Sequence, residues 1–483
     1  MKRSLRNTDF MLLLAILNGA LAAYATPITD RFDPTEYILL SQSFLGKATD
    51  VNLAHRSPLF SMMLAGLMLL LKPPLLYKVT VIIHYILIAC TSWMVYRLFQ
   101  RVFSAKWLAM LSALLFNVSF ATITFANLIQ TEILTVFLVV MSLVILVKLD
   151  EYDKYAQCFA LGTVAGLISL ARFSAVPLVF TFFVLLLIVL YRQKAPARRW
   201  AFSIGTFFVP YLLLINAWCL HHKYHDGFYG LFPRSSGQTV SRNITVASIR
   251  PEYKVSEENK PVLAIFLKAR ENYLKESPVS IKGSGSVLDK LGISADFYGG
   301  YNIYLGAGPD LRRHFGLSAS SGEYEISQKL AGFYQEISRQ NQGFVLKFRF
   351  ISLLYSFRVS ESGSLSAEFG KTNLNILPDF LFKIYGLAFT GISLFVFFAF
   401  FYFTISGIKN GWNFDFTLLS MFFIVFSFWG INFAFVTAVD ANRFKFPAEP
   451  FIFGLFVYYA TQVGQWLTQR FRSRPYRHPS TVQ

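Results

Sequence analysis

The residues best suited to chemistry in this chain are three carboxylates in one short polar stretch, Asp30, Asp33 and Glu36, with Arg31 between them and Tyr37 after them. They follow directly on an apolar run from Phe10 to Ala25. Carboxylates at the mouth of a helical bundle, beside low-dielectric surroundings, are suited to proton abstraction or cation binding. A solvated acidic rim would have the same composition. Spacing adds to the choice, because Asp33 and Tyr37 stand four apart and would share one helical face. Asp30 and Asp33 would do so too if the helix begins early.

Cations and a further carboxylate recur at the edges of other apolar segments. His55-Arg56-Ser57-Pro58 puts a cation just before a Pro that opens the next apolar run. Arg56 there could meet a phosphate at a helix start, or serve only as an interfacial anchor. Glu132, after Asn127-Leu128-Ile129-Gln130-Thr131, stands at the end of a hydrophobic span, where an ionisable group is costly without a partner or water. A cap in the first turn of its helix explains it as well. Near the C-terminus, Arg443 and Lys445 precede Pro447, with Asp440 and Glu449 close enough in sequence to pair with them. An anionic ligand at the membrane surface is the functional alternative.

The elements that must position these groups are membrane helices. Of 483 residues, 54% are apolar and only 15% charged, against about a quarter charged in an ordinary soluble domain. The apolar residues fall in runs such as Leu134 to Val147 and Leu178 to Leu190, which belong to segments near the roughly 20 residues a bilayer requires. Besides the run from Phe10 to Ala25, helices are predicted near 77–99, 105–121, 131–148, 158–172, 176–191, 200–220, 380–406, 414–437 and 447–467. That makes about ten spans in an all-α polytopic fold. Ala23-Tyr24-Ala25 also resembles a signal-peptide cleavage site, so removal of the first helix is an alternative to its retention; retention is preferred because the next polar motif needs an anchor close by.

The net charge of +18 does not point to nucleic acid, because the cations gather at the ends of apolar runs and not on one polar domain. They read instead as topology signals. Counting alternate connections as cytoplasmic puts Arg97, Arg101, Lys106, Arg192, Lys194, Arg198, Arg199, Lys409 and the tail from Arg470 on that side. The mildly acidic turn at Asp150 and Glu151 is the one that fits least well. Residues 1–220 are then an N-terminal transmembrane core with an acidic first outer loop at 30–58. Residues 221–379 form a large extracytoplasmic loop or cap, and 380–483 the C-terminal helices and a basic cytoplasmic tail. Within the cap, Phe344 to Phe357 interleaves Lys347 and Arg349 with Phe, Leu and Ile, the composition of a helix lying along a bilayer surface. Cys90, Cys158 and Cys219 form no close pair and have no metal-type spacing.

Taken in order, these segments resemble the C-type polytopic glycosyltransferases, the superfamily of the protein O-mannosyltransferases and the aminoarabinose lipid A transferases. Asp33-Pro34-Thr35-Glu36-Tyr37 is similar to their acidic Asp-x-x-x-Tyr loop after the first helix, and Arg56-Ser57-Pro58-Leu59-Phe60 to the basic residue and Pro-Leu-aromatic that follow. Thr131-Glu132 opening a helix, Gly166 through Arg172, the glycine-rich stretch around Asn302, and Asn442-Arg443-Phe444-Lys445-Phe446-Pro447 extend the likeness. Two departures are Ser57, where Pro is more usual, and His55, where the aminoarabinose enzymes carry a carboxylate.

The resemblance implies an enzyme that moves a hexosyl or pentosyl group, with inversion, from a polyprenyl-phosphate donor to a lipid, glycan or protein acceptor outside the cytoplasm. Asp33 is then expected as general base with Asp30 second, and Arg56, Arg443 and Lys445 as phosphate ligands. Lys347 is expected to help hold the carrier, with Glu36, Tyr37, His55, Glu132 and Asn302 as further candidates. A divalent cation could sit among Asp30, Asp33 and His55, although nothing in the spacing demands one. A bacterial inner membrane, with the site facing the periplasm or outside, is the expected location. The alternatives are a transporter or flippase of lipid-linked sugars, or a polysaccharide polymerase or ligase drawing on His221, His222, His225 and Arg234.

Overall fold

The computed structural model describes residues 14, 16, 18–20, 22, 32–47, 53–152, 155–233, 245–276, 294–318, 323–358, 379–409, 415–435 and 445–472. The first predicted helix is described at only a few positions. Leu14, Asn18 and Ala22 there are buried while Ile16, Gly19 and Ala20 are exposed, so one i, i+4 stripe packs inward.

The N-terminal half comprises α1 (Phe32–Phe44), α2 (Pro58–Met68), α3 (Leu75–Val102), α4 (Lys106–Asn117), α5 (Phe120–Ala126), α6 (Glu132–Glu151), α7 (Tyr155–Ala171), α8 (Leu178–Arg192) and α9 (Ala197–His225). In the segment expected as a cap lie α10 (Lys260–Glu276), α11 (Ser294–His314), α12 (Glu323–Lys329), α13 (Ala331–Gln340) and α14 (Gln342–Ser356). The C-terminal helices are α15 (Asp379–Lys409), α16 (Phe416–Phe435) and α17 (Glu449–Arg472). No strand occurs among the described residues, and the protein is an all-α polytopic membrane protein.

Among the described residues, six segments are long and apolar enough to cross a membrane: α3, α6, Phe173–Arg192, α9, Ile384–Ser406 and Phe416–Ala434. A seventh is α4 and α5 taken together, which are bent by 50° at their junction. The sequence reads that region as one helix, 105–121. The break has a local cause, since Ser119 takes up extended backbone and its hydroxyl accepts from the Thr122 N–H, restarting the helix as an N-cap. Of the other predicted spans, α7 is helical over 17 residues, and α17 is apolar in its first half but carries exposed Gln465, Thr468 and Gln469 in its second.

α6 is the axis of the bundle, packed against α3, α7, α8 and α16, and its middle residues Val139, Val140 and Leu143 have no exposed surface. α7 and α9 pack closely along their length. A Cβ on Gly162 would lie 1.9 Å from the Phe207 carbonyl oxygen, and one on Gly166 would lie 2.8 Å from Leu214 Cδ1. This small-xxx-small spacing lets the α7 backbone meet the α9 backbone at Phe207 and the Leu214 side chain, where dispersion replaces the missing hydrophobic drive.

Antiparallel connections bring the C-termini of α3, α6 and α8 and the N-termini of α4 and α9 to one end. Arg97, Arg101, Lys106, Lys148, Arg192, Lys194, Arg198 and Arg199 therefore gather there. The acidic turn that fits the charge pattern least well is neutralised on the spot. Glu151 accepts from both terminal nitrogens of Arg101, and Asp150 pairs with Arg192 at 3.2 Å. Glu132 marks the opposite end of the same helix.

The cap has an apolar centre of its own, separate from that of the bundle, built from Phe266, Leu311, Phe333 and Ile337, with Phe266 stacked on Phe333 at 5.4 Å. Its last helix, α14, lies on α16, where Phe350 meets Phe433 edge-on at 5.3 Å. Leu346, Phe350 and Leu354 form an exposed apolar stripe beside exposed Lys347. That is the face expected of a helix resting on a bilayer surface.

Candidate active site

Two short helices build the polar cluster at the Glu132 end. α1 starts with Pro34 and Glu36 in its first two turns, which suits the helix N-terminus by fixed φ and by charge. It closes at Gly46, whose φ of +76° is the left-handed conformation that lets a chain leave a helix. α2 begins at Pro58, after Ser57 in extended backbone. Ser57 makes no capping bond to its own helix. Its hydroxyl instead donates to the Ala171 carbonyl at 2.7 Å, tying the start of α2 to the end of α7. This gives a structural role to a residue that departs from the resembled pattern.

Glu36 organises the cluster. Its Oε2 accepts from His55 Nε2 at 3.0 Å and from Arg56 Nε, and all three side chains are about a quarter exposed or less. Burial acts to raise the Glu36 carboxyl, but the His55 hydrogen bond and the charge of Arg56 outweigh it and hold the group below the ordinary glutamate range. The Arg56 guanidinium also lies over the Tyr37 ring, 5.5 Å from its centroid. Tyr37 is buried, meeting Phe60 edge-on at 5.5 Å, and the Ser41 and Ser61 hydroxyls both donate to its backbone carbonyl. Arg56 is thus held in place from below and from the side.

Behind this cluster lies a second, deeper one. Arg172 Nη1 donates to Glu132 Oε1 at 3.1 Å, with side-chain exposures of 7% and 1%, and Arg172 Nε donates to Ser174. The carboxylate considered above as a helix cap is therefore one half of a buried ion pair joining α6 to the end of α7. Beside it, His84 is fully buried, hydrogen-bonded through Nδ1 to the Ala126 carbonyl and stacked on Phe60 at 5.7 Å. Sequence reasoning passed over His84. The available signal was an imidazole in an otherwise apolar run, which in a membrane helix requires a partner.

The remaining candidates are placed as follows. Asp30 and Arg443 lie outside the described residues. Asp33 is in the first turn of α1, three positions before Glu36, and its side chain is outside the described part. Lys445 is fully enclosed, paired with Glu449 at 2.8 Å and 4.1 Å from the centre of the Phe389 ring. Enclosed and paired in this way, its ammonium ties the turn at Phe446–Ala448 to the start of α17. Asn302 is exposed on α11, whose packing partner is α10, and Lys347 is exposed on α14. No hydrogen bond or ion pair among the described residues joins either to the Glu36 cluster. Among the described residues no set of three His, Cys, Asp or Glu side chains could hold a metal ion; His55, considered above for that role, is engaged by Glu36.

The arrangement offers a cation fixed by a carboxylate and an aromatic face, next to a helix start and backed by a buried ion pair. Such a place suits an anion. No curated protein matches the chain. The model of one family, dolichyl-phosphate-mannose-protein mannosyltransferase, matches residues 55–218, about a third of the chain. That span takes in His55, Arg56, Glu132 and Arg172, and leaves out α1 and the turn before α17. Over these helices the protein is similar to a membrane glycosyltransferase of the GT-C type.

Proposed function

We propose that the protein transfers a sugar from a polyprenyl-phosphate donor to an acceptor hydroxyl or amine at the Glu132 end of the bundle, which faces away from the cytoplasm. One observation carries this: the family match takes in His55 and Arg56, the two partners of Glu36, together with the buried Glu132–Arg172 pair behind them.

Loss of a phosphate leaving group needs little acid catalysis, because the departing oxygen is already part of a stabilised anion. The protein must hold that anion and remove the acceptor's proton. Arg56 suits the first task, since a guanidinium with five donors can serve a carboxylate and a phosphate together. Arg443 is the second proposed ligand, and Lys445, enclosed against Glu449, supports the turn before α17. Asp33 is the proposed base and Asp30 its alternate. The acceptor gives its proton to the carboxylate while its oxygen or nitrogen bonds to the anomeric carbon. The bond from that carbon to the phosphate oxygen breaks with the electron pair leaving on the phosphate, and attack opposite to the leaving group inverts the centre.

The test uses the full chain purified in detergent, supplied with radiolabelled polyprenyl-phosphate sugars, mannose first, and candidate lipid, glycan and peptide acceptors. Label should move to an acceptor, and Asp33→Asn should slow the transfer by about 10²–10⁴-fold, the usual worth of a positioned general base. Transfer at the normal rate in Asp33→Asn removes the proposed base. If no donor is ever consumed, movement of the intact lipid-linked sugar across the membrane becomes the better reading.

A further inference from the structure

We infer that a basic recess at the opposite end of the bundle, between α3 and α6, binds the phosphate headgroup of an anionic phospholipid. The recess has a volume of about 120 Å³ and is lined by Arg97, Arg101 and Lys148 together with Trp93, Leu98 and Val147. Along the axis of α6, Lys148 stands about 24 Å from Glu132 at the usual helical rise. The recess is therefore separate from the candidate active site.

Its charge is not balanced internally. Arg101 is held by Glu151 through both terminal nitrogens. Arg97 and Lys148 are exposed and have no carboxylate partner among the described residues. Three cations therefore face one carboxylate. Helix dipoles account for Arg101 and Lys148, which stand in the last turns of α3 and α6. They do not account for Arg97, which lies more than a turn before the end of α3 at Val102, where the dipole effect has faded. Arg97 is instead fixed over the Trp93 ring, 5.8 Å from its centroid.

The walls indicate what the anion is attached to. Leu98 and Val147 are buried, and Trp93 is 49% exposed. Trp is characteristic of the headgroup level of a bilayer. A free phosphate would use the cations and leave the apolar wall idle. A phospholipid would use both, with its phosphate at Arg97 and Lys148 and the start of an acyl chain along Trp93. Basic pockets between membrane helices on the positively charged side bind lipid headgroups in this manner.

The experiment is native mass spectrometry of the full chain in detergent, titrated with dioleoyl phosphatidylglycerol or dioleoyl phosphatidylcholine. Phosphatidylglycerol should bind more tightly. Arg97→Gln and Lys148→Gln should each weaken it about fivefold, the loss of about 1 kcal/mol per cation at such a surface, with helicity unchanged. Arg198→Gln removes an exposed cation at the same end outside the recess, and should leave binding as it was. Equal binding of the two lipids, or equal weakening by Arg198→Gln, would overturn the site in favour of general surface charge. Displacement of phosphatidylglycerol by equimolar inorganic phosphate would overturn the lipid assignment.

Discussion

The buried pair of Glu132 and Arg172 can be tested most directly, because its geometry sets both sign and size. At an N–O distance of 3.1 Å and an effective dielectric of about 20, the gross attraction is about 5 kcal/mol. Desolvation of both groups offsets much of it, so the pair as a whole stabilises little. Removing one member is different. Arg172→Met leaves a carboxylate in a site of 1% exposure without its guanidinium, and Glu132→Met leaves the guanidinium without its carboxylate. Each should destabilise the protein by about 3–5 kcal/mol. The double replacement puts two apolar side chains into the space and should recover most of the loss. Unfolding by SDS titration in dodecyl maltoside, followed by circular dichroism, measures all three against the unaltered chain. The reasoning fails if a single replacement costs less than about 1 kcal/mol, or if the double replacement equals the sum of the singles, because two independent charges and not a coupled pair would then be present.

The other structural predictions concern the α7–α9 crossing and the Glu36 cluster. Gly162→Ala drives a Cβ into the Phe207 carbonyl, which is backbone and cannot swing aside, and should cost about 1–3 kcal/mol in the same titration; Gly205→Ala on α9, with nothing within 4 Å, should be neutral or stabilising. A carboxyl whose folded pKa lies below its unfolded one contributes stability above the unfolded value and loses it as pH falls through the folded value. Glu36, held below the ordinary glutamate range by the His55 hydrogen bond and the Arg56 charge, should therefore keep α1 joined to His55 and Arg56 through neutral pH and release it only in stronger acid. Hydrogen exchange of the α1 amides against pH checks this. Glu36→Gln should abolish the acid step, and an acid step that persists unchanged in Glu36→Gln would refute the assignment.

Much of the architecture could be read from the sequence because membrane insertion is close to a one-dimensional problem. The transfer of each side chain into hydrocarbon adds along the chain, so runs such as Leu134 to Val147 announce helices without reference to any other segment, and α6 lies there. The cations at the helix ends follow the same local rule, and their convergence at the Glu151 end required only that the helices alternate in direction. The likeness to GT-C enzymes was legible from short motifs in order, which the match over 55–218 supports.

The tertiary structure decided which charges meet. Nothing in the sequence near Glu36 says that its partners are His55 and Arg56, 19 and 20 positions on, or that Arg172, 40 positions from Glu132, satisfies it. An ionisable group in a bilayer must find a partner, so the need for one is a property of the residue and its depth. The identity of that partner is set by which helices pack side by side, through contacts such as Ser57 to Ala171 and Gly162 to Phe207 that no local pattern encodes.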